Sequence, residues 1–231
     1  MQDDQASRTA LLIAASLVLL RRDPKYSGLI SKTSADLCTQ MLEAHSTQTR
    51  LFLKIVRQGW FRPMARLIER VTIPGILLHY VLRKKCIAGL VRSALTNGAT
   101  QVVVVGAGFD PTQRTFWIAE GLLMYLQPDK VSSLMKTLST LSAPGSQVAF
   151  TFMEKQRDDR IQFNSQTKLV DWWLRRRGES FLWGTTRDQL IELVRPWRVI
   201  RFFDHDDLRQ MESGLADELI AKGEVICLAE I

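Results

Sequence analysis

Apolar residues recur three or four positions apart across 51–71, which is the spacing of one face of an α-helix. The most apolar run, 10–20, is too short to span a membrane and follows acidic residues, so we predict a buried helix rather than a span or a signal peptide. No strand is required before residue 100. The predicted helices here cover 9–22, a stretch from Ser31 or Ser34 to His45, and 74–95. The last one has Pro74 at its first helical position and Asn97-Gly98 at its end.

The pattern changes after residue 100. Positions 101–105 form a run dominated by valine, which predicts a strand buried on both faces, as in a parallel sheet. Further strands are predicted over 115–119, 147–153, 199–203 and 224–230, and further helices over 128–141, 158–177, 186–194 and 206–219. A helical region followed by alternating strands and helices predicts an α/β fold with a helical N-terminal cap over 1–98 and a core over 99–231.

The valine strand runs directly into Gly106-Ala107-Gly108. Glycines at the carboxyl end of a buried strand let the backbone approach a ligand closely. The dinucleotide fingerprint Gly-x-Gly-x-x-Gly is excluded, because Pro111 occupies its sixth position. The segment therefore predicts a ligand-binding loop of another kind.

The composition is that of an ordinary globular protein, and its excess of positive charge is concentrated in one region. The 231 residues are 46% apolar and 24% charged, which excludes collagen-like, coiled-coil and disordered classes. The formal charge is +7, and between Ser46 and Gly98 ten basic residues stand against one acid, Glu69. This region predicts either solvated helix faces or contact with an anionic ligand, a nucleic acid or a membrane surface. No nucleic-acid motif accompanies it, so no specific nucleic-acid partner is expected.

The cysteines and acidic clusters predict no metal site. Three scattered cysteines without Cys-x-x-Cys spacing argue against a zinc module and against a secreted disulfide framework. They favour a reducing compartment, and we predict a cytoplasmic location. His205-Asp206-Asp207 is interpreted as a surface turn before a helix. No Ser-His-Asp or Cys-His arrangement is discernible, so the catalytic residues stay open.

Two segments carry a resemblance to a known family. The first is Gly106-Ala107-Gly108-Phe109-Asp110 after the valine run, and the second and more specific one is Ala-Glu-Gly-Leu-Leu-Met-Tyr-Leu at 119–126. Together they resemble the leucine carboxyl methyltransferase family, which comprises class I S-adenosylmethionine-dependent O-methyltransferases. The stretches 7–10, 79–84 and 223–227 also look like that family. The resemblance covers most of the chain and implies a Rossmann-like methyltransferase sheet.

The resemblance also implies a site for S-adenosylmethionine. Arg83 would pair with the carboxylate of the cofactor, since a guanidinium fork matches a carboxylate. Glu120 would lie near the amino group of the cofactor, and Tyr125 would line the substrate pocket. The residues alone also allow Arg83 to be a solvated base, Glu120 a helix cap and Tyr125 a core residue. The cofactor-binding residues of the glycine loop, which would face the methionine half, would be Gly106, Ala107, Gly108 and Asp110.

The chain departs from the family between these two segments. The family has two further βα units there, on the order of 60 residues, whereas here Phe109 is followed closely by Thr115. We predict an internal deletion, which would remove the acid that grips the cofactor ribose and the residues that recognise adenine. The sheet would shrink to about five strands. The valine strand would become an edge that the N-terminal helices cover in part.

Three functions from different classes follow. The first is methyl transfer from S-adenosylmethionine to a carboxylate or hydroxyl oxygen of an unidentified small-molecule or protein substrate. The second is a truncated, non-catalytic relative that acts as an interaction module. The third is binding of an anionic polymer through the basic region at 50–92.

Overall fold

The computed structural model describes residues 8–105, 113–156, 158–177, 179–215 and 217–231. Within 8–100 these residues form helices and no strand: α1 (Arg8–Arg21), a 3-10 turn (Ser27–Leu29), α2 (Lys32–His45), α3 (Thr47–Val56), α4 (Phe61–Thr72) and α5 (Ile76–Thr96). The later elements are β1 (Gln101–Val104), β2 (Thr115–Ala119), a 3-10 turn (Leu123–Tyr125), α6 (Pro128–Thr140), β3 (Gln147–Glu154), α7 (Lys168–Arg177), β4 (Gly184–Thr185), α8 (Arg187–Leu193), β5 (Arg198–Phe203), α9 (His205–Gln210) and β6 (Glu224–Glu230). The division into a cap and a core at residue 98 stays a prediction.

The strands form one mixed sheet in the order β1-β2-β3-β6-β5, and the short β4 pairs with the end of β3. β1, β2 and β3 are parallel, whereas β6 is antiparallel to both β3 and β5. All five predicted strands occur, and each end lies within one residue of its predicted position. The prediction of a Rossmann-like α/β sheet of about five strands is confirmed.

Helices cover the two faces of the sheet, and the strand residues alternate between them. Trp117, Val148 and Phe150 are buried on one face in a cluster with residues of α6 and α8. Phe116 and Ala149 are buried on the opposite face, against Ala94 and its neighbours on α5. The last helix before the sheet is therefore part of the packing of the sheet itself.

The prediction that the valine strand is buried on both faces is wrong. β1 is an edge strand of the described sheet, and only Val103 is buried, in the cluster under α6. Val102 and Val104 point to the other face, and the exposed fraction of Val104 is 60%. The reason is that α5 packs over Phe116 and Ala149 of the two inner strands rather than over β1. The N-terminal helices thus cover part of the sheet, as predicted, and leave Val102 and Val104 of its edge strand exposed.

Two predicted helices are shorter than expected. Helix α7 begins only at Lys168, because residues before it fold as turns in which Asp159 has a φ of 60° and Asn164 N–H donates to the Lys222 carbonyl at 2.8 Å. Helix α9 ends at Gln210 rather than near Leu219. Gly214 with a φ of 97° turns the chain away from the helix, since that conformation suits glycine and not a helical residue.

The apolar run at 10–20 is buried from Ala14 onward, as predicted, whereas Ala10 and Leu12 at its start are exposed. From Ala14 to Leu20 every residue of α1 is buried, against α2, α3 and α5. Ser31 caps α2 by accepting a hydrogen bond from Ser34 N–H at 3.0 Å, which settles the two predicted alternatives for its start. None of the helices in the part of the chain that the structure describes is long and apolar enough to cross a membrane.

We predicted that helix α5 begins at Pro74. It begins at Ile76 instead, directly after a close backbone contact at Gly75. Gly75 precedes the helix with a φ of 80°, and its carbonyl accepts a hydrogen bond from Ala221 N–H at 3.3 Å. A Cβ atom at Gly75 would lie 2.3 Å from the carbonyl oxygen of Leu219. Because the neighbour is backbone, only glycine fits where the 219–221 segment crosses the start of α5.

We predict that Gly75→Ala lowers the free energy of unfolding by more than about 2 kcal/mol, since the new methyl group meets backbone and the left-handed φ adds strain. The matched control is Gly89→Ala within α5, where a Cβ meets nothing within 4 Å. This control should raise the free energy of unfolding by about 0.5–1 kcal/mol. Urea unfolding curves of both variants check the prediction. Equal midpoints for Gly75→Ala and the parent protein would contradict it.

Candidate functional site

Three elements bring charged side chains to the edge of the sheet where the parallel strands end. Glu120 directly follows β2. Glu224 is the first residue of β6, and it pairs with Met153 near the end of β3 because the two strands are antiparallel. Helix α5 carries His79 and Arg83 four residues apart, hence on one helix face. In open α/β sheets this is the edge at which ligands bind.

Arg83 joins these elements through its guanidinium group. Its Nε donates to Glu120 Oε1 at 2.9 Å, and its Nη1 donates to both carboxylate oxygens of Glu224. His79 Nε2 lies 2.9 Å from Glu224 Oε2. Arg83, Glu224 and His79 are buried, so the predicted alternative of a solvated arginine is excluded. The sequence spacing alone assigned no role to Glu224 or His79.

The charges of this group determine the ionisation of Glu224. Burial by itself raises the pKa of a carboxyl group, but the positive charge of Arg83 and the hydrogen bonds from His79 and Arg83 outweigh it. The pKa of Glu224 falls from 4.5 to about 2. Glu224 is therefore a buried carboxylate at neutral pH, and it balances the charge of Arg83.

Glu120 lies at the outer side of this network. Its carboxylate also accepts hydrogen bonds from Lys84 Nζ, at 3.2 and 3.3 Å, and the side chain of Lys84 is 40% exposed. Gly121 follows with a φ of 63°, and its N–H donates to Thr151 Oγ1 at 2.8 Å. The carboxylate of Glu120 accepts hydrogen bonds from two basic side chains and caps none of the described helices. The predicted alternative of a helix cap is therefore excluded. Two cations and one carboxylate thus meet near the solvent-accessible rim.

Tyr125 lies in an aromatic cluster beside the charged network. Its ring centroid is 5.8 Å from that of Phe181, and both pack with Phe163 and Met124. Tyr80, next to His79 on α5, joins the same cluster, and the guanidinium carbon of Arg83 lies 5.3 Å from its ring centroid. Tyr125 is half-buried, so its role in a substrate pocket stays a prediction.

The glycine loop itself lies outside the described residues. This concerns the predicted cofactor-binding residues Gly106, Ala107, Gly108 and Asp110. The structure does place the residue before them, since Val105 N–H donates to the Ile118 carbonyl at 2.9 Å and extends the pairing of β1 with β2. Val105, the residue before the loop, therefore lies beside the end of β2, which is followed by Glu120.

A polar cavity of about 550 Å³ opens at the same edge, on the side of β4 and β5. Glu224 belongs to its lining, and Arg187 bridges two further lining residues by donating to Glu154 at 2.8 Å and to Asp204 at 2.9 Å. Asp204 also caps α9 by accepting from the N–H groups of Asp206 and Asp207. Its carboxylate is thus already engaged, although it lies with His205 and Asp206 in a group of side chains whose spacing would fit a metal ion.

His79 and Glu224 could have been noticed in the sequence. His79 and Arg83 are polar residues four apart within an otherwise apolar part of α5, and Glu224 is an acid at the start of a buried strand. Neither feature names its partner, because Glu224 is 141 positions from Arg83 along the chain. The pairing becomes visible only when the sheet order is known.

Comparison with known proteins locates the similarity. Residues 108–139 match the model of the family described as leucine carboxyl methyltransferase. A protein of Mycolicibacterium smegmatis named "Putative S-adenosyl-L-methionine-dependent methyltransferase/" is 45% identical over 74 residues, which are 32% of this chain and 24% of that protein. A protein of Saccharopolyspora erythraea named "Putative S-adenosyl-L-methionine-dependent methyltransferase" is 32% identical over 126 residues, which are 53% of this chain and 44% of that protein. These matches confirm the family resemblance of the sequence.

The matched regions span less than half the length of these curated relatives. Among solved structures, a "putative methyltransferase" from Thermobifida fusca YX superposes with a TM-score of 0.51 at 13% identity and covers 98% of this chain and 99% of that one. This likeness shows the fold, which agrees with the mixed sheet described above.

We predict that Glu224→Gln lowers the free energy of unfolding at neutral pH by about 3–5 kcal/mol, because the buried charge of Arg83 loses a carboxylate partner. The pKa of Glu224 is lower in the folded state, so its contribution is present above about pH 4.5 and is lost as the pH falls toward 2. The variant should therefore lose less stability than the parent protein across that interval. Urea unfolding at several pH values measures both effects.

The matched control is Glu192→Gln, which removes the exposed ion pair between Glu192 and Arg195. We expect this control to change the free energy of unfolding by less than about 1 kcal/mol. If Glu224→Gln changed the free energy of unfolding as little as the control at every pH, the prediction that the buried carboxylate stabilises the protein by pairing with Arg83 would be contradicted.

Proposed function

We propose that this chain, which resembles the leucine carboxyl methyltransferase family, is an S-adenosylmethionine-dependent O-methyltransferase that acts on a carboxylate or hydroxyl group. The observation that carries the proposal is the meeting of Arg83, Lys84 and Glu120 where β2 ends. This end of β2 falls inside the segment 108–139 that matches the family model. The names of the relatives agree with the proposed cofactor.

The charged group fits the amino-acid end of S-adenosylmethionine. That end carries an ammonium and a carboxylate, and the described side chains offer the carboxylate of Glu120 and the ammonium of Lys84 at the rim, with the buried guanidinium of Arg83 behind them. We assign the ammonium to Glu120 and the carboxylate to Lys84 and Arg83, whose guanidinium is fixed by Glu224. Gly106, Ala107, Gly108 and Asp110 are proposed to complete this half of the site, since they follow Val105 in the chain and Val105 pairs with Ile118, two residues before Glu120.

The described residues do not offer the same fit to the adenosine end. A ribose is commonly held by an acid at the end of the strand next to the glycine-loop strand, and the described sheet has no strand on the outer side of β1. The family match begins at residue 108 and includes β2. Gly108-Phe109-Asp110 thus belongs to the matched segment together with β2, and this supports the proposed internal deletion before it. We assign no residue to ribose or adenine.

The proposed reaction makes few demands on the protein. The cofactor would supply a methyl group on a positively charged sulfur; an acceptor oxygen forms a bond to that methyl carbon as the carbon–sulfur bond breaks, which leaves a methyl ester or ether and S-adenosylhomocysteine. A hydroxyl acceptor must also give up its proton to a base, and no described residue is assigned to that role. A carboxylate acceptor needs no general base, so the protein contributes mainly by holding donor and acceptor in line. Tyr125, with Phe181 and Tyr80 nearby, is proposed to line the acceptor side.

We predict that S-adenosylmethionine and S-adenosylhomocysteine bind the parent protein in the micromolar range, as measured by calorimetric titration. Glu120→Gln should weaken both by about tenfold or more, because the ammonium loses a charged hydrogen-bond partner. Glu212→Gln is the matched control, since Glu212 pairs with the neighbouring Lys85 away from the proposed site. This control should leave the affinity unchanged.

No binding at millimolar ligand by protein that is shown to be folded would contradict the proposal and would favour the non-catalytic relative. If Glu120→Gln and Glu212→Gln weakened the affinity for the cofactor equally, cofactor binding would stand, but the assignment of Glu120 to the ammonium group would be contradicted. Methyl transfer is then sought with carboxylate and hydroxyl acceptors and the same variants.

A further inference from the structure

Helix α4 and the residue before it turn a row of large apolar side chains toward solvent. Trp60, Leu67 and Val71 have exposed fractions of 59%, 62% and 61%, and Met64 and Ile68 are exposed beside them. Positions 60, 64, 67 and 71 repeat with the helical period, so these side chains form one continuous face. We call these five residues the apolar face of α4.

The opposite side of α4 is fixed to the protein, so the apolar face cannot turn inward. Phe61 and Ala65 pack against the buried cluster formed by α1, α2 and α3. Glu69 accepts a hydrogen bond from Leu77 N–H at 3.0 Å, which ties α4 to the first turn of α5. The contacts that hold α4 against the rest of the protein therefore leave the apolar face exposed to solvent.

Arginines form a second row on α4, which reaches the apolar face at Arg70, next to Leu67. Arg62, Arg66 and Arg70 stand four residues apart on α4. Arg66 is anchored by Asp23 at 2.6 Å, and Arg62 donates to the Arg22 carbonyl at 3.1 Å. Arg70 is exposed. The surrounding segment from Ser46 to Gly98 has ten basic residues against one acid.

We propose that α4 docks this protein on an anionic lipid surface, with the apolar face inserted at the level of the headgroups and Arg70, at the margin of that face, on the lipid phosphates. An apolar stripe that contains tryptophan and is flanked by arginines matches the interfacial region of a bilayer. Each basic residue near an anionic leaflet adds to the attraction. The helix lies on the surface and does not cross it.

The same observations disfavour other occupants. A symmetric dimer through this face would bring two arginine rows together, because a two-fold interface places the same patch against itself. A nucleic acid would use the arginines but would leave Leu67, Ile68 and Val71 in water. An anionic lipid surface is the partner that satisfies both rows at once.

The test is sedimentation with vesicles of phosphatidylcholine, with and without about a quarter of phosphatidylglycerol. We expect binding to the anionic vesicles that weakens as salt rises and does not depend on S-adenosylmethionine. The double variant Leu67→Ser/Val71→Ser should weaken binding by about tenfold or more, because two inserted side chains are lost. Arg70→Gln should weaken it by about fivefold.

The matched control is Ile191→Ser, an exposed apolar residue of α8 on the opposite face of the sheet. It should bind vesicles like the parent protein, and all variants should keep the circular dichroism of the parent. No binding of the folded parent protein to anionic vesicles would overturn the proposal. So would vesicle binding that survives Leu67→Ser/Val71→Ser, binding to arbitrary duplex DNA in place of vesicles, or a dimer in ultracentrifugation that the same double variant dissolves.

Discussion

The buried guanidinium of Arg83 is the constraint on which the rest of the site depends. A charge removed from water is costly unless it is paired and hydrogen-bonded. Arg83 meets this requirement with carboxylates from two different parts of the sheet, Glu120 after β2 and Glu224 at the start of β6. The network therefore holds a helix of the N-terminal region against two strands that are far apart in sequence.

The same network links stability to the proposed function. Glu224 and His79 are buried at its inner end and fix the orientation of Arg83. Glu120 and Lys84 lie at its outer end, where a ligand can reach them. A site whose inner members are packed and whose outer members are accessible is preorganised for a charged ligand, because little order has to be gained on binding. In the proposed reaction this ligand is the amino-acid end of the methyl donor.

Local patterns predicted the elements of the core well and its long-range pairs poorly. The strands could be predicted because runs such as Phe116–Ala119 and Val148–Phe152 combine β-branched, aromatic and apolar residues. The helices after Asp158 and Asp206 were overestimated, because backbone contacts and the left-handed Gly214 override helical spacing there. Arg83 and Glu120 were found through family resemblance, whereas their partner Glu224 required the sheet order. Burial of β1 on both faces was wrong, because it assumed neighbours that the described sheet lacks.

The central claim is that the pair of Arg83 and Glu224 joins the N-terminal helices to the sheet, and a double-mutant cycle tests it most directly. The free energy of unfolding is measured in urea for Arg83→Met, for Glu224→Leu and for the double variant. The account predicts that the double variant loses less free energy of unfolding than the two single variants lose together, by at least about 2 kcal/mol. The reason is that each single change leaves a buried charge without its partner. Additive effects within about 0.5 kcal/mol would contradict the account.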